Sequence, residues 1–217
     1  FSIVFEQAYT RFLDLQKAET QTREAQIQLA LERVRAATMS MFRSEDLGKV
    51  AQILFLQMQQ LGKGLDRAMI PIVDTRTHSA NAWMTTEDGA GVKDGIQVSW
   101  LGHPVLNEVY EAWLREEAFI EQDLVGTRLD EFIHWIQANT TTPYSQNQPK
   151  RRVYGYARFS YGMIAIIKST GITTEERNIL IRFAKVFEQT YTRFLDLKKA
   201  EAQAREAQIE TALERVR

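Results

Sequence analysis

The chain of 217 residues contains no cysteine, and this absence excludes several kinds of chemistry. Without a thiol there is no disulfide framework, no thiolate nucleophile and no cysteine-rich metal site. Long apolar runs are also missing, since the longest, Met163–Ile167, is far shorter than the roughly 20 residues of a membrane-spanning helix. Residues 1–30 are charged throughout and do not form a signal peptide, so we expect a cytoplasmic protein.

The sequence has little net charge and no motif for phosphate binding or acid–base catalysis. Its formal charge of −1 argues against a nucleic-acid partner held by phosphate contacts. The glycines at 62–64 and 89–91 do not have the spacing of a phosphate-binding loop. The adjacent carboxylates at 116–117 and 175–176 project about 100° apart on a helix rather than facing each other. We therefore expect no enzyme in this chain, and an enzyme with an unrecognised site is the remaining alternative.

The three histidines, His78, His103 and His134, fall in different predicted elements, with no second ligand at metal spacing. The sequence around His134 lacks the pattern of a phosphoacceptor histidine, and we interpret it as a surface or half-buried residue of a helix. His103 precedes Pro104 at a strand-to-helix edge. Of the three histidines, only His103 is therefore a candidate for binding a ligand, and we predict no metal site.

What the chain does contain is a long repeat at its two ends. Residues 1–35 return as residues 183–217, with 27 of the 35 positions identical. Neither copy contains glycine or proline, and both are rich in strong helix formers. Repetition of this kind marks a modular array. The repeat predicts a long N-terminal helix over 1–43, a globular domain over 44–182 and a long C-terminal helix over 183–217.

A seven-residue stride of largely apolar residues runs through both copies. In the first copy it joins Leu13, Ile27 and Val34, and in the second it joins Leu195, Ala202, Ile209 and Val216. A coiled coil needs a second apolar position in each heptad, and polar residues such as Lys198 occupy it here, so the heptad pattern is weak. The stride favours a homodimer through parallel helices, with these residues as its seam. A single solvated helix held by charge pairs is the alternative.

The middle of the chain alternates between strand and helix patterns. Ser44 is a candidate N-cap of a helix that ends at Gly62, and Thr173 with Glu176 forms a capping box for the last helix. Strand-like runs cover 67–74, 79–86, 95–101, 151–160 and 161–169, and helices follow Pro104 and Gly126. This order predicts an α+β fold, in which about five antiparallel strands carry flanking helices. The last run is apolar on both faces and is predicted to lie centrally in the sheet.

The run 151–160 separates large polar residues from small ones. One face carries Arg152, Tyr154, Tyr156 and Arg158. This face is suited to an anionic or planar ligand, or else its tyrosines face the long helices or a dimer mate. Gly155 and Ala157 on the other face leave either pocket volume beside Trp100 or space for close helix packing. The candidate ligand-binding residues are Trp100, His103, Tyr154, Tyr156 and Arg158.

This layout resembles GAF domains, the small-molecule sensor modules of bacterial signalling proteins. Two stretches add to the resemblance: VFEQTYTRFLDLKKAEAQAREAQIETALERVR is similar to the recurring linker of such modules, and RRVYGYARFSYGMIAII is similar to their last strand pair. The resemblance implies a two-component or related sensor protein with a histidine kinase or similar output, in which covalently linked sensor and output domains communicate through signalling helices.

The same resemblance implies a role for each part of the chain. Residues 1–35 become the exit helix of a preceding module, and residues 183–217 become that of this one. Bilin-binding relatives attach their chromophore through a cysteine, which this chain lacks, so covalent bilin is excluded. No cofactor is identifiable, and the sequence leaves open a small ligand that binds without a covalent bond. A dimerisation spacer without a ligand is the alternative function.

Overall fold

The computed structural model describes residues 2–41, 43, 46–62, 64–87, 89–142 and 149–214. In chain order, its elements are α1 (Ser2–Met39), α2 (Leu47–Leu61), β1 (Leu65–Asp74), β2 (Ser79–Thr85), β3 (Val92–Ser99), a short 3-10 helix (Trp100–Gly102), α3 (Pro104–Leu114), β4 (Phe119–Val125), α4 (Gly126–Asn139), β5 (Arg151–Phe159), β6 (Gly162–Lys168) and α5 (Thr174–Glu214). Ser44, the predicted cap of α2, lies outside the described residues. Within them, no helix is both long enough and apolar enough to cross a membrane.

The strands form one antiparallel sheet in the order β3-β2-β1-β6-β5-β4. The predicted α+β fold with flanking helices is therefore confirmed. Strand β6 lies between β1 and β5 and is buried along its whole length, which confirms the central position predicted from its two apolar faces.

The sheet has six strands rather than five, because β4 was not predicted. Its burial alternates strictly, with Ile120, Gln122 and Leu124 inward and their neighbours outward or half-buried. The inward glutamine obscures the apolar alternation that marks a half-buried strand. Gln122 is accommodated because its side-chain amide donates to the carbonyl of Val105 at 2.8 Å and to Glu108 at 3.0 Å.

The sheet separates two hydrophobic cores. On one face, α1, α2 and α5 cover one set of strand residues, with Phe55, Phe183 and Phe187 among the fully buried side chains. On the other face, α3 and α4 cover the alternate set, with Val109 and Phe132 in the second core. Because successive strand residues point to opposite faces, each strand contributes to both cores.

Helix α5 begins with the predicted capping box. The backbone N–H of Thr173 donates to the Glu176 carboxylate at 2.8 Å, and the N–H of Glu176 donates to the Thr173 hydroxyl at 3.1 Å. The other oxygen of Glu176 accepts from Lys168 Nζ at 2.5 Å, with both side chains nearly buried. Although burial alone would raise it, this ion pair and the bonds from Thr173 lower the pKa of Glu176. The start of α5 is thereby fixed to the end of the central strand.

Helix α1 continues to Met39, close to the bound at residue 43 that the sequence predicts. Its second half belongs to the first core, where Ile27 and Val34 are buried. Two ion pairs join it to α5: Arg23 with Glu175 at 2.7 Å, and Glu24 with Arg182 at 2.6 Å. The predicted domain boundaries at 43/44 and 182/183 remain predictions.

Candidate functional site

A small apolar cavity lies between the sheet and the α3–α4 layer. Its volume is about 50 Å³. That volume holds a few water-sized groups and is far below the roughly 300–1,000 Å³ of pockets for drug-sized ligands. The lining residues come from five strands, the 3-10 helix, α3, α4 and the segment after α4: Met69, Pro71, Ala80, Ala82, Met84, Ile96, Val98, Trp100, Leu106, Phe132, Ile136, Thr142, Tyr154, Tyr156 and Ile167.

Three of the five candidate ligand-binding residues meet at this cavity. Trp100, Tyr154 and Tyr156 line it, and all three are buried. The two tyrosines belong to the core under α3 and α4. The alternative that they face the long helices is therefore wrong, because the opposite face of β5 is the one directed at α5.

His103 does not line the cavity, and its role is to begin helix α3. Its Nδ1 accepts a hydrogen bond from the backbone N–H of Val105 at 3.2 Å, and Pro104 occupies the first turn. The ring packs against Phe132 and Trp135 with centroid distances of 5.2 and 5.8 Å. Burial lowers the pKa of His103, against the opposing charge of nearby carboxylates. The neutral ring is the form that accepts the capping bond.

Arg158 also lies away from the cavity. Its guanidinium stacks over the Trp113 ring at 5.4 Å from the centroid. Nε donates to the carbonyl of Trp113 at 3.1 Å, and Nη2 forms an ion pair with Glu116 at 3.1 Å. Arg158 therefore joins β5 to the end of α3, and it is not among the described residues that line the cavity.

Trp100, which lines the cavity, is the first ring of an aromatic stack. Trp100 stacks on Tyr110 at 5.9 Å, and Tyr110 stacks on Trp113 at 6.2 Å. Trp100 Nε1 is buried and has no hydrogen-bond acceptor within the described residues. A buried donor without an acceptor costs about 1–3 kcal/mol. A water or ligand oxygen next to the indole N–H would remove that cost.

A cluster of two buried arginines and one partly exposed glutamate adjoins the cavity beside Met84. Arg67 and Arg152 are 3 and 1% exposed, and both donate to the same oxygen of Glu87, at 3.1 and 2.9 Å. Arg67 also contacts the Met84 sulfur at 3.8 Å. Burial favours a higher pKa for Glu87, but the hydrogen bonds from Arg152 and Arg67 hold it below its ordinary value. Sequence patterns did not reveal this cluster, since its members are distant in the chain.

The small residues of β5 serve close packing. A Cβ on Gly155 would lie under 3.0 Å from the side chains of Ile172 and Phe119, so that face holds no free volume at this position. The interpretation of Gly155 as pocket volume beside Trp100 is therefore wrong, and close packing is the reason for the glycine. Trp100 itself lies on the opposite side of the sheet.

The predicted seam residues lie in three different environments. Leu13, Ala202 and Ile209 are exposed, whereas Leu195 is half-buried. Ile27 and Val34 are buried in the core of a single chain, where they cannot reach a dimer mate. Val216 lies outside the described residues. The seam remains a prediction at the exposed positions only.

No protein-family model matches the sequence, and no curated protein matches it. Among solved structures, the chain is similar to the GAF domain of a phosphoenolpyruvate-protein phosphotransferase from Acinetobacter, with 12% identity, a TM-score of 0.48, and 76% of this chain and 91% of that chain covered. It is also similar to the GAF domain of a phosphoenolpyruvate-protein phosphotransferase from Coxiella burnetii, with 10% identity, a TM-score of 0.44, and coverages of 84 and 98%.

Proposed function

We propose that the chain is a non-enzymatic sensory relay module of a signal-transduction protein, of the GAF-like type that its order of elements resembles. A small, mainly apolar ligand occupies the cavity, and α5 carries the resulting change to a covalently linked output domain. One structural feature carries this proposal: strands β5 and β6 contact the cavity with one face and α5 with the other.

The connection is made by alternate residues of single strands. On β5, Tyr154 and Tyr156 line the cavity, whereas Ala157 and Phe159 lie in the core that α5 covers. The Phe159 ring contacts that of Phe187 edge-on at 4.9 Å. Packed interiors transmit displacement rather than absorb it. A ligand that moves the tyrosines therefore shifts the surface on which α5 rests.

The lining indicates the chemistry of the ligand. Nearly all of its side chains are hydrocarbon, thioether or aromatic, and the indole N–H of Trp100 is a donor in need of an acceptor. A compact apolar molecule with one acceptor oxygen matches these groups. With about 50 Å³ available, anything larger must displace side chains. Such displacement gives the ligand unequal affinity for two arrangements, which a sensor requires.

The exposed continuation of α5 is the output element. In the described part of this helix, residues 198–210 are exposed. A helix with few apolar contacts changes its orientation at low cost in free energy. We propose that this segment pairs with that of a second copy through Ala202 and Ile209, in the parallel homodimer that the stride favours.

The small volume of the cavity favours a second candidate function. A domain whose rings nearly fill the space between sheet and helices serves equally as a dimerisation spacer, which sets the distance between neighbouring modules without a ligand. The spacer and the sensor differ in one measurable respect, namely binding at the cavity.

Binding of small probes to the purified chain tests the proposal. Indole, benzyl alcohol and short-chain ketones would be titrated while the melting temperature and tryptophan fluorescence are followed. Ala82 is buried in the lining, so Ala82→Leu fills the cavity and serves as the control, with Ala80→Val as a milder second variant. We expect at least one probe to raise the melting temperature of the unmodified chain and to lose tenfold in affinity in both variants. If no probe binds, or if the variants bind the probes equally well, the sensory function is refuted and the dimerisation spacer becomes the proposed function.

A further inference from the structure

The two copies of the repeated sequence have opposite patterns of burial. In the first half of the second copy, Phe187, Tyr191 and Phe194 are 0, 5 and 6% exposed. The identical residues of the first copy, Phe5, Tyr9 and Phe12, are 71, 54 and 53% exposed. Three large rings on one face of a helix are an unusual surface for an isolated domain. The same sequence thus forms core in one place and an exposed stripe in the other.

The surface that buries the second copy is known in detail. The Phe159 ring of β5 lies 4.9 Å from Phe187 and 6.2 Å from Tyr191, and the Tyr161 ring lies 5.7 Å from Tyr191. Both contacting residues belong to the strand pair β5–β6 or its connecting turn. This surface therefore fits the ring sequence Phe-x-x-x-Tyr-x-x-Phe, which α1 also carries.

At the isoleucine in the second half of each copy the pattern is reversed. Ile27 is 5% exposed in the core, whereas its counterpart Ile209 is 55% exposed. Arg23 and Glu24 form ion pairs with α5. Among the positions whose burial is described in both copies, the rings are buried only in the second copy and the isoleucine only in the first.

We infer that the ring face of α1, defined by Phe5, Tyr9 and Phe12, docks on the β5–β6 surface of a second domain of this same fold. The connector helix is then a core element of two successive domains. Its first half covers the sheet of the domain before it, and its second half packs against α2 and α5 of the domain after it. A change at one sheet reaches the next core along a helix that is held at both ends.

The occupant is another domain and not a second copy of this chain as it stands. In this chain the β5–β6 surface is already covered by the chain's own α5, so it cannot receive α1 of another molecule. Pairing of α1 with α1 of a second copy would also cover the rings. The experiment below distinguishes this pairing from docking on a preceding domain. The inference does not depend on a ligand in the cavity. Its test is therefore independent of the test of the sensory function.

A two-domain chain tests the inference. Residues 1–182 are placed directly before residue 1, so that the first domain keeps its own α1 and a second α1 follows it at the same junction where residue 183 follows residue 182. The cysteine variants below are made in this second α1. The absence of native cysteine permits thiol labelling at single sites without background. Ala8→Cys is the probe, because Ala8 is exposed whereas its counterpart Thr190 is buried. Gln7→Cys is the matched control, because Gln7 and its counterpart Gln189 are both exposed.

We expect the Ala8→Cys thiol to react at least tenfold more slowly in the two-domain chain than in the 217-residue chain, and the Gln7→Cys thiol to react equally in both. Equal rates for Ala8→Cys would overturn the inference. Failure of the added domain to fold, measured by circular dichroism, would also overturn it, because α1 is proposed to complete that core. Slowing of Ala8→Cys in the 217-residue chain at rising concentration would identify α1–α1 pairing instead.

Discussion

Removing the same phenylalanine from each copy of the repeat should have very different effects on stability. Phe5 and Phe187 both stand in the sequence Val-Phe-Glu-Gln, so local helix propensity changes equally when either becomes alanine. Phe187 is fully buried against Phe159 and Tyr191, and truncation of a core phenylalanine costs about 3–5 kcal/mol. Phe5 is 71% exposed, and substitutions at such positions change stability by about 0.5 kcal/mol or less.

Urea unfolding followed by circular dichroism and tryptophan fluorescence measures both variants under identical conditions. We expect Phe187→Ala to lower the free energy of unfolding by several kcal/mol, and Phe5→Ala to leave it nearly unchanged. Similar losses in the two variants would refute the assigned burial of the copies. A loss for Phe5→Ala that grows with protein concentration would indicate that a second molecule covers the first copy.

Three further predictions concern packing, a buried charge and a titrating cap. Gly155→Ala should destabilise the fold by about 1–3 kcal/mol, since its Cβ meets packed side chains. A Cβ at Gly171 would meet only Arg151 Nη2, at an ordinary contact distance of 3.8 Å, so Gly171→Ala should change urea unfolding little. Glu176→Gln leaves the buried Lys168 without its carboxylate and should lower the free energy of unfolding by about 3–5 kcal/mol. Glu175→Gln removes an exposed ion pair and should lower it by at most about 1 kcal/mol. Equal losses would contradict the burial of the Lys168–Glu176 pair. Because the pKa of His103 is lowered in the folded state, its contribution is complete above about pH 6.5 and is lost as the pH falls through the folded pKa. A pH series of melting temperatures should show this loss, and His103→Asn, which caps without titrating, should remove it.

Much of the fold followed from local patterns. The two apolar faces of β6 correctly predicted a central strand, and Thr173 with Glu176 correctly predicted the start of α5. Strand β4 was missed because its inward Gln122 is stabilised by a carbonyl and a carboxylate from α3, which lies 14–17 residues earlier in the chain. Local alternation does not report such a partner.

The site was less predictable, because its residues gather through distant packing. Tyr154 and Tyr156 were assigned to one strand face, but which layer that face meets depends on the path of the whole chain. His103 was a reasonable candidate by position, and only the structure shows that it serves as a helix cap. The repeat marks the limit of local inference most clearly. Ile27 and Ile209 have nearly the same neighbours in sequence, yet one is buried and the other exposed.

Hydrogen exchange along α5 tests the proposed relay most directly. Exchange of backbone amides would be measured by mass spectrometry in the unmodified chain, in the Ala82→Leu variant, and in the unmodified chain with a saturating cavity probe. If the sheet transmits occupation of the cavity to the helices, filling the cavity by either route should change exchange in β5, β6 and residues 179–194 of α5. Changes confined to the strands and to α3 and α4, with α5 unaltered, would contradict the account.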